Sequence, residues 1–170
     1  RPIQSLVALL GKAVISFKLD DRLKSGRYSW GHLFMHHKRI KIEHAEQYLE
    51  SMRQAHVIVD FDERRQMVQK QIDAAAAALG GRILSDEALL DTVTNLVEIP
   101  VATGGHFDDV FLELPNEILI TAMREHQKYF AVVNDSGRLM PCFVAVNNTR
   151  AKDTALVAKG HERVLRARLS

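Results

Sequence analysis

His32, His36 and His37 put three imidazoles within six residues, and on a helix His32 and His36 would share a face, as two metal ligands must. Gly31 and the lack of an apolar period argue against a helix there. No Glu completes an HExxH pattern and no CxxC exists to finish a zinc site, so loop or surface histidines are the expected reading. Nucleophilic catalysis has no better footing. There is no GxSxG, and the single cysteine, Cys142, lies in an apolar strand-like run, where a small buried hydrophobe is expected. Gly80-Gly81 and Gly104-Gly105 are isolated pairs without a phosphate-loop pattern around them. The carboxylates, Asp108-Asp109 and Asp60/Asp62/Glu63 among them, read as caps and solvated faces.

Two constellations remain. Arg124, His126, Gln127, Lys128 and Tyr129 combine cations for phosphate, amides for base edges or sugar, and an aromatic face for stacking. The same residues also fit a helix C-terminus whose cations complement the dipole. In GHERVLRAR, Arg163, Arg166 and Arg168 can line one side of a helix while Val164, Leu165 and Leu169 pack. That density of Arg suits phosphate contacts, with a solvated face as the plainer alternative.

The elements that must position these groups follow from periodicity. Over residues 111–133 a strand-like run ends at Pro115, a helix buries Ile118, Leu119, Ala122 and Met123, and HQKYF passes into a β pattern. Residues 3–10 and 13–19 suggest a hairpin turning at Gly11-Lys12, and residues 20–39 an ordered loop. Residues 42–53 fit a short amphipathic helix, and VIVDF a brief strand or linker. A helix capped by Asp60, with Glu63 at the capping-box position, runs to Gly80-Gly81. A further helix is capped by Ser85 and lasts to about Val97, with Pro100 ending it or opening the next strand. KYFAVVN and LMPCFVAVNN flank Asp135-Ser136-Gly137 as a second hairpin, and Gly160 divides two helical pieces over 153–159 and 161–169.

At 170 residues, with 46% hydrophobic and 26% charged residues, the chain suits one compact soluble domain, with two small lobes as the alternative. No apolar run approaches the roughly 20 residues that span a bilayer. A lone cysteine fits a reducing, cytosolic compartment and leaves no internal disulfide. The net charge of +2 implies no polyanion partner by itself, but its distribution is uneven. Arg150, Lys152, Lys159, Arg163, Arg166 and Arg168 face only Asp153 and Glu162, whereas residues 85–117 carry acids and no Lys or Arg. The opening Arg1-Pro2, without Met, and the helical-looking RVLRARLS at the close suggest a piece of a longer protein.

FLELPNEILITAMREHQKYFAVV, GRLMPCFVAVNNTRAKD and VAKGHERVLRARLS, preceded in the same order by RPIQSLVALLG and GHLF, closely resemble the β subunit of bacterial glycyl-tRNA synthetase, the α2β2 type, over essentially the whole chain. The family commonly has Asn where this chain has His161, often Arg at Leu33, and Trp or a similar residue near Ile99. The resemblance implies a cytoplasmic ligase in which glycine activation belongs to the α subunit, which uses ATP and Mg, while β supplies tRNA binding and assembly. It implies no cofactor, catalytic residue or metal ligand in this piece, and as partners the α subunit, a second β subunit and tRNA(Gly), with no membrane. The implied fold is a single α+β domain over residues 1–170, with antiparallel and mixed sheets packed against helices, similar to the editing-type domain of the phenylalanyl-tRNA synthetase β subunit. Residues 150–170 would begin the connection to the next domain. On this reading Arg124, His126, Gln127, Lys128, Tyr129, Arg163, Arg166 and Arg168 are the RNA-contact candidates. Two alternatives stand beside it: an editing-type aminoacyl-tRNA hydrolase, and a purely structural subunit-packing domain.

Overall fold

A computed structural model describes residues 3, 5–19 and 22–169. Arg1-Pro2, Gln4 in the first expected strand, Asp20-Asp21 in the expected loop and the terminal Ser170 lie outside the described residues. The chain divides into two compact units, residues 1–60 and 61–170.

The first unit is built from six short strands, β1 (Leu6–Val7), β2 (Leu9–Leu10), β3 (Ala13–Val14), β4 (Ser25–Gly26), β5 (Tyr28–Trp30) and β6 (Arg39–Lys41), followed by a 3-10 turn, Ala45–Gln47, and helix α1 (Tyr48–Gln54). Strands β2 and β3 pair antiparallel through Gly11, whose φ of 56° suits the tight turn expected there. The stretch expected as a loop instead contributes β4, paired in parallel with β1, and β5, paired antiparallel with β6. Strands this short carry no readable period, and their partners are distant in sequence. VIVDF forms no strand. In the expected helix over 42–53, Met52 is buried while Leu49 is exposed. His32 is fully buried, its N–H donating to the Ala55 carbonyl at 2.9 Å, and its own carbonyl accepts from His36 N–H at 2.8 Å. Among the described residues no three His, Cys, Asp or Glu side chains group as metal ligands.

The second unit carries both constellations. It runs α2 (Phe61–Ala78), β7 (Arg82–Ile83), α3 (Glu87–Leu96), β8 (Val101–His106), α4 (Asn116–Thr121), a π-helical turn Ala122–Gln127, β9 (Phe130–Val133), β10 (Leu139–Asn147) and α5 (Thr154–Leu169). Four strands form one antiparallel sheet in the order β7-β9-β10-β8. Both faces are covered. Phe130, Val132, Cys142 and Val144 pack with Val68, Ile72 and Ala76 of α2 and Leu89, Leu90 and Val93 of α3. Their neighbours Ala131, Phe143 and Ala145 point the other way, against Leu119, Met123 and Leu165. A period of two with apolar residues at every position is what a strand buried on both faces requires. The expected α+β class with antiparallel sheets holds, but among the described residues no sheet is mixed, the one parallel pairing being β1-β4, and no helix is long and apolar enough to cross a membrane.

Polar ties set the layers. Gln71 Nε2 donates to the Pro100 carbonyl and its Oε1 accepts from Ala102 N–H, each at 3.0 Å, which fixes α2 against the start of β8. Arg65 Nε reaches Asp91 at 2.6 Å and the same guanidinium contacts Glu87, joining α2 to α3. The expected helix after Asp60 and the hairpin turning at Gly137 both form.

Four local expectations are corrected. Residues 109–113 wind into a 3-10 turn rather than a strand. Ile118 is 53% exposed, because the buried side of α4 is set by Leu119, in line with Met123 of the π turn that follows. The cap of α3 is Asp86, whose Oδ1 accepts from Leu89 N–H at 2.9 Å, not Ser85. Helix α5 runs unbroken through Gly160. Its N-terminus is capped by Asp153, Oδ1 accepting from Leu156 N–H at 2.9 Å, and the side chains just after the glycine, His161 and Glu162, are anchored in the sheet, so tertiary contacts outweigh the weak helix propensity of glycine.

Candidate nucleic-acid interface

Helix α5 is oriented by the residues it turns inward. Leu165 is fully buried against the sheet. Glu162 Oε1 accepts from the His106 N–H at 2.9 Å, at the end of β8. His161 enters a polar chain: Tyr129 Oη lies 2.8 Å from its Nδ1, and Asn147 Oδ1 lies 2.8 Å from its Nε2. The proton positions follow from Asn147. Its Nδ2 faces the Val101 carbonyl at 3.3 Å and Thr103 Oγ1 at 3.0 Å, so its Oδ1 is turned to His161 and must accept. Nε2 therefore carries the proton, and Nδ1 accepts from the Tyr129 hydroxyl. Burial favours the neutral imidazole. Burial pushes His161 below its usual range and pushes Tyr129 up to about 12.

This inward bonding decides what α5 shows to solvent. Both acids of the basic C-terminal stretch are engaged by the fold, Asp153 as the cap and Glu162 on the backbone of β8. Lys159 and Arg163 are exposed, and among the described residues neither is held in an ion pair. Arg166, on the same helix, reaches Asp108 of the loop after β8 at 3.0 Å, an exposed pair.

The π-helical turn places the other constellation. Arg124 is committed, with Nε 2.5 Å from Asp86 Oδ2 and Nη1 against Glu125. Burial raises Asp86, but the Leu89 N–H and the Arg124 guanidinium overcome it and hold the carboxyl below its usual range. Lys128 takes the left-handed conformation, φ 57°, that ends the turn, and its Nζ lies 3.8 Å from Glu125. Gln127 is half-buried and His126 is exposed. Tyr129 is 5% exposed and stacked on Phe143 with ring centroids 4.6 Å apart, so it offers no face for a base.

The two constellations meet at one place. Glu117, Ile118, Thr121, Ala122 and His126 from α4 and the π turn, with Arg168 from α5, line an open groove of ≈ 410 Å³. Of the candidates read from sequence, His126 and Arg168 are brought together there and Arg163 stands exposed. Arg124 and Arg166 are neutralised by carboxylates, and Tyr129 is turned into the core. Lys159 was visible as a basic residue, but splitting the helix at Gly160 hid that it lies one turn before Arg163 on the same helix.

Residues 1–170 match, over their whole length, the family model described as glycyl-tRNA synthetase beta subunit. The chain belongs to that family. It is 55% identical over 170 residues to the glycine–tRNA ligase beta subunit of Desulforapulum autotrophicum, 54% to that of Desulfatibacillum aliphaticivorans and 48% to that of Syntrophus aciditrophicus, in each case over all of this chain and 24% of the relative. It thus spans about a quarter of the length of these curated relatives. Within this stretch of a glycyl-tRNA synthetase β subunit, Lys159 and Arg163 of α5 are exposed and outside any ion pair among the described residues.

Proposed function

We propose that this part of the β subunit contributes tRNA(Gly) binding and subunit assembly to glycyl-tRNA synthesis, with glycine activation by ATP and Mg carried out on a separate α subunit in a cytoplasmic α2β2 enzyme. The observation that carries it is the outward row of Lys159 and Arg163 on a helix whose acids, Asp153 and Glu162, are both drawn into the fold. Cations left exposed in this way suit sequence-independent contacts to phosphate, which position an RNA without reading it. His126 and Arg168 line a groove on another side of the same helix.

Charge removal tests it. In the assembled enzyme, Arg163→Ala and Lys128→Ala should each raise the KM for tRNA(Gly) several-fold, roughly the value of one phosphate contact, and leave glycine-dependent ATP turnover without tRNA unchanged. Normal glycylation by both variants at limiting tRNA would overturn the reading. A likeness to the editing-type domain of the phenylalanyl-tRNA synthetase β subunit belongs to the same proposal as a likeness of fold alone. Editing serves a pocket that cannot reject a smaller amino acid, and none is smaller than glycine. Release of amino acid from alanyl-tRNA by the assembled enzyme, lost when His126 is replaced, would favour the hydrolytic alternative instead.

A further inference from the structure

Strands β5 and β6 pair so that Tyr28 stands opposite Lys41 and Trp30 opposite Arg39. These four side chains therefore share one face of the hairpin, and Ser29 and Ile40 share the other. All four positions of the first face are exposed, Trp30 at 48% and Tyr28 at 37%, whereas Ser29 and Ile40 turn inward. Two aromatic rings on one open strand face mark a contact surface. The face is also held in shape. His32, just beyond Trp30, is fully buried with its N–H on the Ala55 carbonyl, and Gly31 lets the chain pass so close that a Cβ there would stand 2.7 Å from that of Ala55.

Charge indicates what such a surface meets. Residues 22–42 hold six Lys and Arg and neither Asp nor Glu. The first acid beyond them, Glu43, is taken by Lys41 at 2.6 Å and by Arg27 at 3.4 Å. Lys38 and Arg39 are exposed and, among the described residues, in no ion pair. The Arg39 guanidinium instead lies over the Tyr28 ring, 4.1 Å from its centroid, which orients the cation without cancelling its charge. Rings interleaved with uncompensated cations complement a single-stranded nucleic acid, whose bases stack on aromatic or guanidinium planes while its phosphates meet the charges. The cores of polypeptide interfaces, by contrast, are depleted of charge.

Spacing narrows the choice further. Tyr28 and Trp30, two residues apart on one strand, stand about 7 Å apart, twice the roughly 3.4 Å between bases stacked in a helix. The pair suits bases spread along an extended strand, and in a tRNA the unpaired 3′ terminus is the segment with a free end to extend. We infer that the Tyr28–Trp30 face of the β5-β6 hairpin is a docking site for the unpaired 3′ strand of tRNA, with one base on the Trp30 ring, the next on the Arg39 guanidinium where it lies over Tyr28, and Lys38 and Arg39 supplying charge for the intervening phosphate. This rests on the tRNA-binding reading above and adds a second surface, in residues 1–60, that takes a different part of the RNA.

The complete β subunit assembled with its α partner is titrated over a series of salt concentrations with a tRNA(Gly) transcript and with the same transcript shortened by its unpaired 3′ nucleotides. The parent enzyme is compared with Trp30→Ala, Trp30→Phe and Arg39→Ala, each also followed by thermal melting and sedimentation. Trp30→Ala should bind the whole transcript about tenfold more weakly, the effect of one stacked base, with an unchanged salt slope because no charge is removed. Trp30→Phe keeps a ring and should recover most of that loss. Arg39→Ala should lower the affinity and reduce the salt slope by about 0.7, the single-strand value for one phosphate. On the shortened transcript all four proteins should bind alike. If Trp30→Ala matches the parent on the whole transcript, the stacking site is overturned, while the tRNA-binding reading stands or falls separately on Arg163→Ala and Lys128→Ala. If Trp30→Ala weakens both transcripts equally, another part of the RNA lies on this face and the assignment to the 3′ strand is overturned. If Trp30→Ala loosens assembly with the α subunit and leaves tRNA affinity unchanged, the face meets a polypeptide and the inference is overturned in favour of subunit packing.

Discussion

Asn147 governs the chemistry of His161, since its amide nitrogen is turned to Val101 and Thr103 and only its oxygen is left for the imidazole. Tyr129→Phe removes the one donor to Nδ1 and leaves a part-buried acceptor unsatisfied, which should lower the unfolding free energy by about 1–3 kcal/mol in urea titrations; an unchanged midpoint would show that the bond carries no stability. The pH dependence has a definite sign. Burial lowers His161 in the folded chain from 6.5, so between its folded and unfolded values the unfolded chain binds the extra proton. Its contribution to stability is full above 6.5 and falls as pH drops through that value toward the folded one. Denaturation curves at about pH 7.5 and about pH 5.5 should therefore diverge, and His161→Gln should reduce the divergence. Little of this was legible beforehand. Tyr129 lies next to Lys128 in the chain and reads as a stacking platform, yet its ring lies on Phe143 because β9 is buried on both faces and offers no outer side for an aromatic residue to occupy.

Helix ends and turns carry the next tier. Asp86 is at once the cap of α3 and the partner of Arg124. Asp86→Ala should cost about 1–2 kcal/mol of stability, whereas Ser85→Ala should sit near zero; the reverse order in thermal melts would contradict the capping geometry. Lys128 closes the π turn in a left-handed conformation, so Lys128→Gly should stabilise the fold by about 1 kcal/mol. Comparison with Lys128→Ala then separates its backbone role from its charge. Long elements with one face buried, such as α2 and α3, were legible from their period, although the cap of α3 falls one residue later than expected. Strands β4, β5 and β6 of the first unit were not, since two or three residues hold no period and their pairing is decided by distant partners. Helix α5 was cut at Gly160 because local propensity favours a break there, while the bonds of His161 and Glu162 to the sheet hold the helix continuous.

Across the whole molecule, the sheet of residues 61–170 contains both buried clusters. A chain of residues 61–170 alone should unfold in one cooperative transition by calorimetry, and Phe143→Ala within it should cost about 3–5 kcal/mol. On the edge strand β8, a Cβ on Gly105 would stand 2.6 Å from the Phe143 ring, so Gly105→Ala should also be destabilising. The sequence by itself determined family membership, through several long segments in fixed order, and it determined the hairpins, most helices and the places where basic residues concentrate, because these are properties of neighbouring residues. Only the tertiary structure decided which cations stay available. Asp86 lies 38 residues from Arg124 and Asp108 lies 58 from Arg166; each pair forms because the folded layers bring those segments together. Charge pairing acts through space, so the same row of arginines is neutralised in part and left open in part according to where the chain folds back.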